Sequence, residues 1–485
     1  MNIKVISLEA KIQGVQKVRE GVSGLGIKEV IRKIFEPRSV AVVGVRKDLR
    51  NPGYEVLRNI VRAGFKGELY VIGSADVGRE LGIPTYYSVS ELPKNVELAI
   101  VSVPTEEVPK VVEELGSRGV RVAIILSRGF SETGRTLRRD LESKVMEVAR
   151  KHGVRVLGPG SQGVGNPGKS FYASWPLVRR EGPLAIVSRS GAVASTLATW
   201  AVEEGLGISK LATLGNKADL DESDMLEYLA EDDESKCVAL YIEAVRDGRR
   251  FMKALKETTL RKPVVALKSG RTRSGAFAVA SRLGMPAGHY RLYLEAFRKT
   301  GVLPASSLEE LYDVWKGLAL LPLVQGFSVQ IITTSIGAGV ILADALEELG
   351  LRLAKTSPEV KEVLRRRVSE HSLISNPLNL PRDASESEIN SAIEEVMKDQ
   401  RVDIVMVVLA GMTLRASKAL VRWKNYEGKA LIPVLLGPCR EEVVSLQEQG
   451  IPTYTAPERG ARVAAALARY SAYLRHASKL NEVID

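Results

Sequence analysis

The sequence predicts an α/β protein made of repeated open parallel sheets. Three times a short apolar stretch runs through a glycine-containing turn straight into a helical pattern: SVAVVGVRKD from Ser39, LAIVSRSGAVAS from Leu184 and VQIITTSIGAGV from Val329. Around these, short apolar runs alternate with charged amphipathic stretches, as expected for strands buried on both faces by crossover helices. A strand ending in a tight turn at a helix start presents free backbone N–H groups and the positive end of the helix dipole. Each such turn is therefore also a candidate anion site.

The elements follow in order. Residues 1–36 read as a helical or partly ordered lead-in, with KEVIRKIF, ending at Phe35, as an amphipathic helix. Residues 39–43 form the first strand, and GYEVLRNIVRAG the helix after it. ELYVI gives a strand ending at Ile72, and VELAIVSV another ending at Val103. PTEEVPKVVEELGSRG begins with a Pro and Thr that suit a helix start. VRVAIILS is a strand ending at Ser127, LRRDLESKVMEVARKHG a charged helix, and VRVLG a strand that reaches Gly158 and opens the loop GPGSQGVGNP. The sum is a doubly wound parallel sheet of about five strands.

The pattern restarts at 184–188, continues through ALYIEAV, ending at Val245, and PVVALKSG at 263–270, and closes near Pro322. A third section starts at Val329, includes DIVMVVLAG and LIPVLLG, and ends in the amphipathic stretch ERGARVAAALARYSAYLRHASKL. WPLVRREGP and LPLVQG are the natural linkers. The expected division is an N-terminal extension at 1–35 and domains at 36–177, 178–322 and 323–485. A length of 485 residues agrees with three domains at roughly 150 residues each.

Hydrophobic content of 45% and charged content of 26% are those of a soluble globular protein. No run approaches the roughly 18 apolar residues of a spanning helix, and the N-terminus lacks an apolar signal core. Cys237 and Cys439 lie too far apart in sequence for a local metal motif and imply a reducing compartment. These features lead to the expectation of a cytoplasmic protein without a membrane partner. The net charge of +11 favours anionic partners, such as nucleotides, coenzymes, nucleic acid or an acidic subunit, unless it is only a basic solvated surface. Zinc-finger spacing is absent and aromatic residues are 5%, so no specific nucleic-acid module is expected. His152, His289, His371 and His476 share no metal-ligand spacing, and no metal site is expected.

Four loops could carry chemistry. Gly44-Val45-Arg46-Lys47-Asp48, followed by Asn51-Pro52-Gly53, is not a full dinucleotide fingerprint. Gly44 and Gly53 allow close backbone approach, and Arg46 and Lys47 could meet phosphates or simply form a basic surface loop. The missing ribose-binding pattern argues against an ordinary dehydrogenase. Ser190 can cap the helix that follows it, and the amides beside it can hold an oxyanion. The glycine- and serine-rich loop at 158–163 follows a strand and could share the first cleft. Glu243 follows ALYI, where a carboxylate can orient an imidazole or nucleophile, or serve only as a cap or salt bridge. Ser190 lacks a Gly-x-Ser-x-Gly context, so a hydrolase triad is unsupported.

Nine segments together carry a resemblance: SVAVVGVRKD, GFKGELYVI, ELAIVSVPTEEVP, LSRGFSETG, RVLGPGSQGVGNP, AIVSRSGAVAST, LGNKADLDESDMLEYLAED, ALYIEAVRDGRRF and KPVVALKSGRTRSGA. Over residues 36–470 the chain resembles the alpha subunit of nucleoside-diphosphate-forming acyl-CoA synthetases, relatives of succinyl-CoA synthetase. The resemblance implies a Rossmann-like CoA-binding domain followed by two flavodoxin-like, succinyl-CoA-synthetase-type domains. It implies an ADP-forming acid–CoA ligase component that binds coenzyme A and an acyl phosphate or phosphate. In that family an acyl phosphate forms and a histidine carries the phosphoryl group to a nucleotide site. ATP or ADP with Mg2+ would then sit on an ATP-grasp beta subunit in a homo- or hetero-oligomer, because the chain shows no extra segment long enough for that domain.

By resemblance, Gly44, Val45, Arg46, Gly53 and Lys66 fall in CoA-binding segments, with Val103, Pro104 and Ser127 at the adjoining strand ends. Ser190, Gly191 and Ala192 match the phosphate-receiving loop. Glu243 matches the carboxylate that supports the phosphorylated histidine, and Gly215, Asn216 and Lys217 match a loop before an acidic helix. The chain also departs from the family. Where the family usually has Ser-His-Thr-Gly-Ala, this sequence has Ser281, Arg282, Leu283, Gly284 and Met285. Arg282 is a permanently cationic, poor nucleophile that could clamp an anion but cannot replace a phosphorylated imidazole. Gly158-Pro159-Gly160-Ser161-Gln162-Gly163 likewise replaces a Gly-Pro-Asn-Cys-like stretch, and TTSIGAG is less glycine-rich than its family counterpart. The alternative reading is a non-catalytic CoA- or acyl-CoA-binding regulatory or scaffold paralogue without the phosphoryl relay.

Overall fold

The computed structural model describes residues 25–48, 50–283, 286–424, 426 and 428–484, without the side chains of 282–283, 412–416, 418 and 480–484. In the first unit, β1 (Ser39–Val45), β2 (Glu68–Gly73), β3 (Thr85–Tyr86), β4 (Leu98–Val101), β5 (Val122–Ile125) and β6 (Arg155–Leu157) form one parallel sheet. Its order is β3-β2-β1-β4-β5-β6. The chain reverses direction across the sheet between β1 and β4, the position at which open α/β sheets have their crevice beyond the strand carboxyl ends. The sixth strand, unexpected from sequence, is β3, a two-residue edge strand too short to leave an apolar run. β1, β4 and β5 are covered on both faces, which is why they read as unbroken apolar stretches.

The second unit contains β7 (Val164–Asn166), β8 (Phe171–Ala173), β9 (Glu181–Ser188), β10 (Ile208–Thr213), β11 (Cys237–Ile242), β12 (Val264–Lys268) and β13 (Leu303–Ala305). Their order is β13-β12-β11-β9-β10-β7-β8. The five strands from β13 to β10 are parallel and follow flavodoxin-like winding. β7 and β8 are an antiparallel pair, with Val164 opposite Ala212 of β10. The expected first-domain range of 36–177 therefore included a hairpin that extends the second sheet. No helix separates β6 from β7, so the chain has no crossover with which to return to the first sheet in parallel, and it pairs antiparallel on the next edge instead.

The described part of the expected N-terminal extension is also no appendage. The helix Ile27–Phe35 buries Val30, Ile31, Ile34 and Phe35 in a core shared with the first and second sheets. The Phe35 ring lies 5.6 Å from that of Tyr228, and Lys28 Nζ pairs with Glu231 at 2.7 Å. Its apolar residues recur at helical spacing, and that face is the part of the lead-in that the fold uses. The remainder of the lead-in, residues 1–24, lies outside the described residues.

The third unit holds β14 (Ser328–Thr333), β15 (Arg352–Leu353), β16 (Leu378–Asn379), β17 (Ile404–Ala410) and β18 (Ala430–Leu436), all parallel, in the order β15-β14-β17-β18 with β16 also on β14. The long helix Pro457–Ile484 returns across the second unit. Arg459 grips Asp313 through two hydrogen bonds of 2.7 Å, and Lys316 Nζ donates to Glu204 at 2.8 Å and to the Thr453 carbonyl at 3.1 Å. No helix among the described residues is long and apolar enough to cross a membrane.

Candidate functional site

The first cleft is assembled at the carboxyl ends of β1, β4 and β5. Gly44, next to last in β1, has φ of 85°, and a Cβ there would lie 2.5 Å from the Ser102 carbonyl oxygen and 2.7 Å from Val103. Glycine is required by both the left-handed backbone and the close approach. Asn51 caps the helix Pro52–Ala63: its Oδ1 accepts from Tyr54 N–H at 2.9 Å, while its Nδ2 donates to the Gly44 carbonyl at 3.2 Å. Gly53 N–H donates to Ser102 Oγ at 3.0 Å, and Ser127 Oγ donates to the Val103 carbonyl at 2.6 Å. Gly44, Val45, Arg46, Gly53, Val103, Pro104 and Ser127 are thus brought to one edge of one sheet, with Arg46 and Pro104 exposed.

Lys66 is not brought there. It precedes β2, whose first residue, Glu68, pairs with Ser39 at the start of β1. Lys66 therefore stands at the opposite, amino-terminal edge, about 20 Å along the strand from Gly44. Its motif match is local to the GFKGELYVI segment, and the parallel register carries that segment away from the cleft.

The second cleft lies at the carboxyl end of β9. Ser190 caps the helix Gly191–Glu203 by accepting from Val193 N–H at 3.4 Å, and its carbonyl accepts from Ala194 N–H. The Gly191 and Ala192 N–H groups come before the first intrahelical bond, at the positive end of the dipole. Gly191 packs against Gln162, whose Cβ would lie 2.8 Å from a Cβ at 191; Gln162 Nε2 donates to Ser195 Oγ at 2.7 Å. The loop at 158–163 therefore forms a wall of the second cleft.

A buried charged cluster lies beneath this helix start. Arg189 donates to Glu243 in a tight ion pair, with side-chain exposures of 4% and 7%, and Tyr241 Oη donates to Glu243 at 3.3 Å. Lys268, the last residue of β12, pairs in register with Ile242, next to Glu243, and its Nζ lies 4.6 Å over the Tyr293 ring. Burial pushes the Lys268 amine down to about 8, against the pull of Glu243. Lys217 has φ of 56°, a left-handed backbone unusual for a non-glycine residue, and its Nζ donates to Glu222 at 2.8 Å and to the Ala244 carbonyl at 2.7 Å. Burial pushes Glu222 up, and the Lys217 ammonium opposes it.

Two interlocks join the clefts. The loop at 214–220 runs along the end of β6: Asn216, Ala218 and Leu220 N–H groups donate to the carbonyls of Pro159, Gly158 and Val156. Asp219 receives both arms of Arg155 at 2.8 and 3.0 Å. Asn216 Nδ2 donates to both Glu132 and Glu142 of the first unit, at 2.6 and 2.8 Å. The helix Arg273–Leu283 meets the same region, where a Cβ at Gly134 would lie 3.5 Å from the Ser281 carbonyl oxygen. Arg282 is thus on the last turn of a helix that borders the first unit's 129–134 loop. Its side chain, Gly284 and Met285 lie outside the described residues.

Sequence reasoning gave no role to Lys268, Arg189 or the Arg155–Asp219 pair. A signal was present for Lys268: a lysine closing the apolar run VVAL of a central parallel strand has no solvent face to occupy. Among the described residues no group of three or more His, Cys, Asp or Glu side chains could hold a metal ion.

Comparison with known proteins agrees with this architecture. Residues 38–167 match a CoA binding domain, 181–318 the succinyl-CoA ligase like flavodoxin domain, and 329–416 a ligase-CoA domain. The chain is 35% identical, over 91% of its length and 98% of the relative's, to acetate–CoA ligase [ADP-forming] I subunit alpha of Pyrococcus furiosus. It is 37% identical to acetate–CoA ligase [ADP-forming] I of Archaeoglobus fulgidus, over 91% of its own length and 64% of that relative's. The dinucleotide forming acetyl-coenzyme A synthetase 1 of Ca. Korarchaeum cryptofilum, solved in complex with phosphate and ADP, superposes with a TM-score of 0.86 at 31% identity, covering 92% of this chain and 98% of the other.

Proposed function

The chain belongs to the ADP-forming acyl-CoA synthetases as an alpha-subunit-like, CoA-binding member, and from that premise we propose that its two clefts form one acyl-transfer site. Coenzyme A occupies the β1–β4 crevice, its phosphates against Gly44–Arg46 and the helix start at Pro52–Gly53. Phosphate or an acyl phosphate occupies the Ser190–Ala192 helix start. In the acyl-CoA-consuming direction a phosphate oxygen attacks the thioester carbonyl. The C–O bond forms, the C–S bond breaks, and the phosphate proton ends on the CoA sulfur. The helix dipole and the Gly191 and Ala192 N–H groups hold the anion, while the Arg189–Glu243 pair braces the loop beneath it.

The onward phosphoryl step is where this sequence departs from the family's usual pattern. Arg282 stands at the family's histidine position. A guanidinium remains protonated and can hold an anion, but it does not accept a phosphoryl group. An ATP-grasp beta subunit carrying ATP or ADP and Mg2+ is the expected partner, and any transfer to ADP must bypass residue 282. The observation that carries the reading is the Gly191 helix start, closed by Gln162 and underlain by Arg189 and Glu243.

The test is to incubate the purified chain with acetyl-CoA and phosphate and trap acetyl phosphate as the hydroxamate. Acetyl phosphate should form with no nucleotide present. The non-catalytic reading is favoured by Arg282 itself. It predicts CoA binding by calorimetry together with no acetyl phosphate from any acyl-CoA tried, alone or with a partner.

A further inference from the structure

A cavity of about 450 Å³ lies between the second unit and the long C-terminal helix, and it shares no lining residue with either cleft. Phe297, Leu303 and Val314, all buried, form its inner wall. On the opposite side Arg462, Ala465, Ala466, Arg469 and Tyr473 follow one another at helical spacing, so one stripe of the helix Pro457–Ile484 faces the cavity. Two alanines between two arginines make a floor of small residues with a cation at each end.

The charges decide what fits. Arg298, Arg462 and Arg469 line the space together with Glu295 and Glu310, which leaves one excess positive charge. Arg298 is engaged by Glu295 at 2.8 Å, and Arg469 donates to the Leu349 carbonyl at 2.7 Å. Arg462 Nε is buried and has no hydrogen-bond partner among the described residues. Among the described residues no ion pair or hydrogen bond engages the rest of the Arg462 guanidinium, so of the three arginines it is the one left to meet a bound anion. One excess cation matches a monoanion rather than a phosphate dianion, and the apolar wall matches a hydrocarbon body. The volume is within the range of small-molecule sites.

We propose that this cavity is a second ligand site, for a monocarboxylic acid with an aliphatic or aromatic body, whose carboxylate meets Arg462 and whose apolar part lies on Ala465 and Ala466 against Phe297. Because its walls come from the second and third units, an occupant ties the two together. It is a binding site separate from the reaction, and it stands or falls independently of the acyl-transfer reading.

The test is calorimetric titration of the full chain with hexanoate and phenylacetate, with hexylamine and inorganic phosphate as controls. The acids should bind one to one through this cavity and the amine should not. Arg462→Gln and the cavity-filling Ala466→Trp should each weaken acid binding about tenfold or more, with CoA affinity unchanged. Thermal unfolding of each variant reports whether it is folded, and Arg462→Gln, which removes charge without adding bulk, serves if Ala466→Trp is not. Absence of acid binding to the folded wild-type chain overturns the proposal. So does acid binding that survives undiminished in a folded variant, which would place the acid elsewhere.

Discussion

At the scale of single residues, Lys268 is the clearest case of chemistry imposed by burial. Its amine titrates near 8, below the ordinary lysine value. Between pH 8 and roughly 10.4 the unfolded chain holds a proton that the folded chain does not, so stability should rise with pH across that window and level off below it. Lys268→Met should flatten the rise, as read from denaturant midpoints at pH 7, 8, 9 and 10; an unchanged slope would mean the amine is not held in this environment. Lys268 also marks the limit of what a linear sequence discloses. Gly44 was legible because its turn requires a residue without a Cβ. Glu243 was legible because it closes a strand. The meeting of Arg189, Glu243 and Lys268 follows from strand order, since β9, β11 and β12 are adjacent although separated in sequence by about fifty residues and then about twenty-five.

Among the elements, the three strand–turn–helix units were the legible part, because parallel strands buried on both faces leave continuous apolar runs. The hairpin of β7 and β8 did not read as strands at all, because three-residue strands carry no directional pattern. Lys66 was misplaced for a related reason: motif similarity records proximity along the chain, whereas the edge of the sheet on which a loop lies depends on strand direction. The helix Gly191–Glu203 offers a direct test of element-level packing. Gly191→Ala introduces a Cβ against Gln162 and should cost about 1–3 kcal/mol as an overpacked contact. It should also weaken phosphate binding at the helix start while leaving CoA affinity intact. Denaturant unfolding and phosphate titration check the two effects separately, and loss of CoA binding in a folded variant would count against two distinct clefts.

In the whole molecule, the units are joined by buried polar contacts as well as by apolar burial. Asp313 is fully buried and neutralises Arg459 of the C-terminal helix, so Asp313→Ala leaves the guanidinium with a longer 3.4 Å ion pair to Glu309 and a 3.3 Å hydrogen bond to Thr455 Oγ1. Breaking a pair of this kind costs about 3–5 kcal/mol. Unfolding followed by calorimetry should then separate into two transitions as the third unit loosens from the second, where the wild type shows closer coupling. At the same scale, the interlocks at Asn216 and Asp219 bring the carboxyl edge of the first sheet and the Ser190–Ala192 helix start together, and the helix carrying Arg282 borders the loop at 129–134. With Arg282 at the carrier position, the proposed acyl transfer between CoA and phosphate is expected to remain and the phosphoryl relay to be absent. The most direct measurement is a paired assay of the wild type and Arg282→His with acetyl-CoA, phosphate, ADP, Mg2+ and a beta subunit from an ADP-forming relative. Acetyl phosphate should form with both proteins, but ATP and a phosphorylated alpha chain only with Arg282→His. Wild-type chain that makes ATP at the rate of Arg282→His, or that makes no acetyl phosphate while the variant does, would overturn the proposed loss of the phosphoryl relay alone.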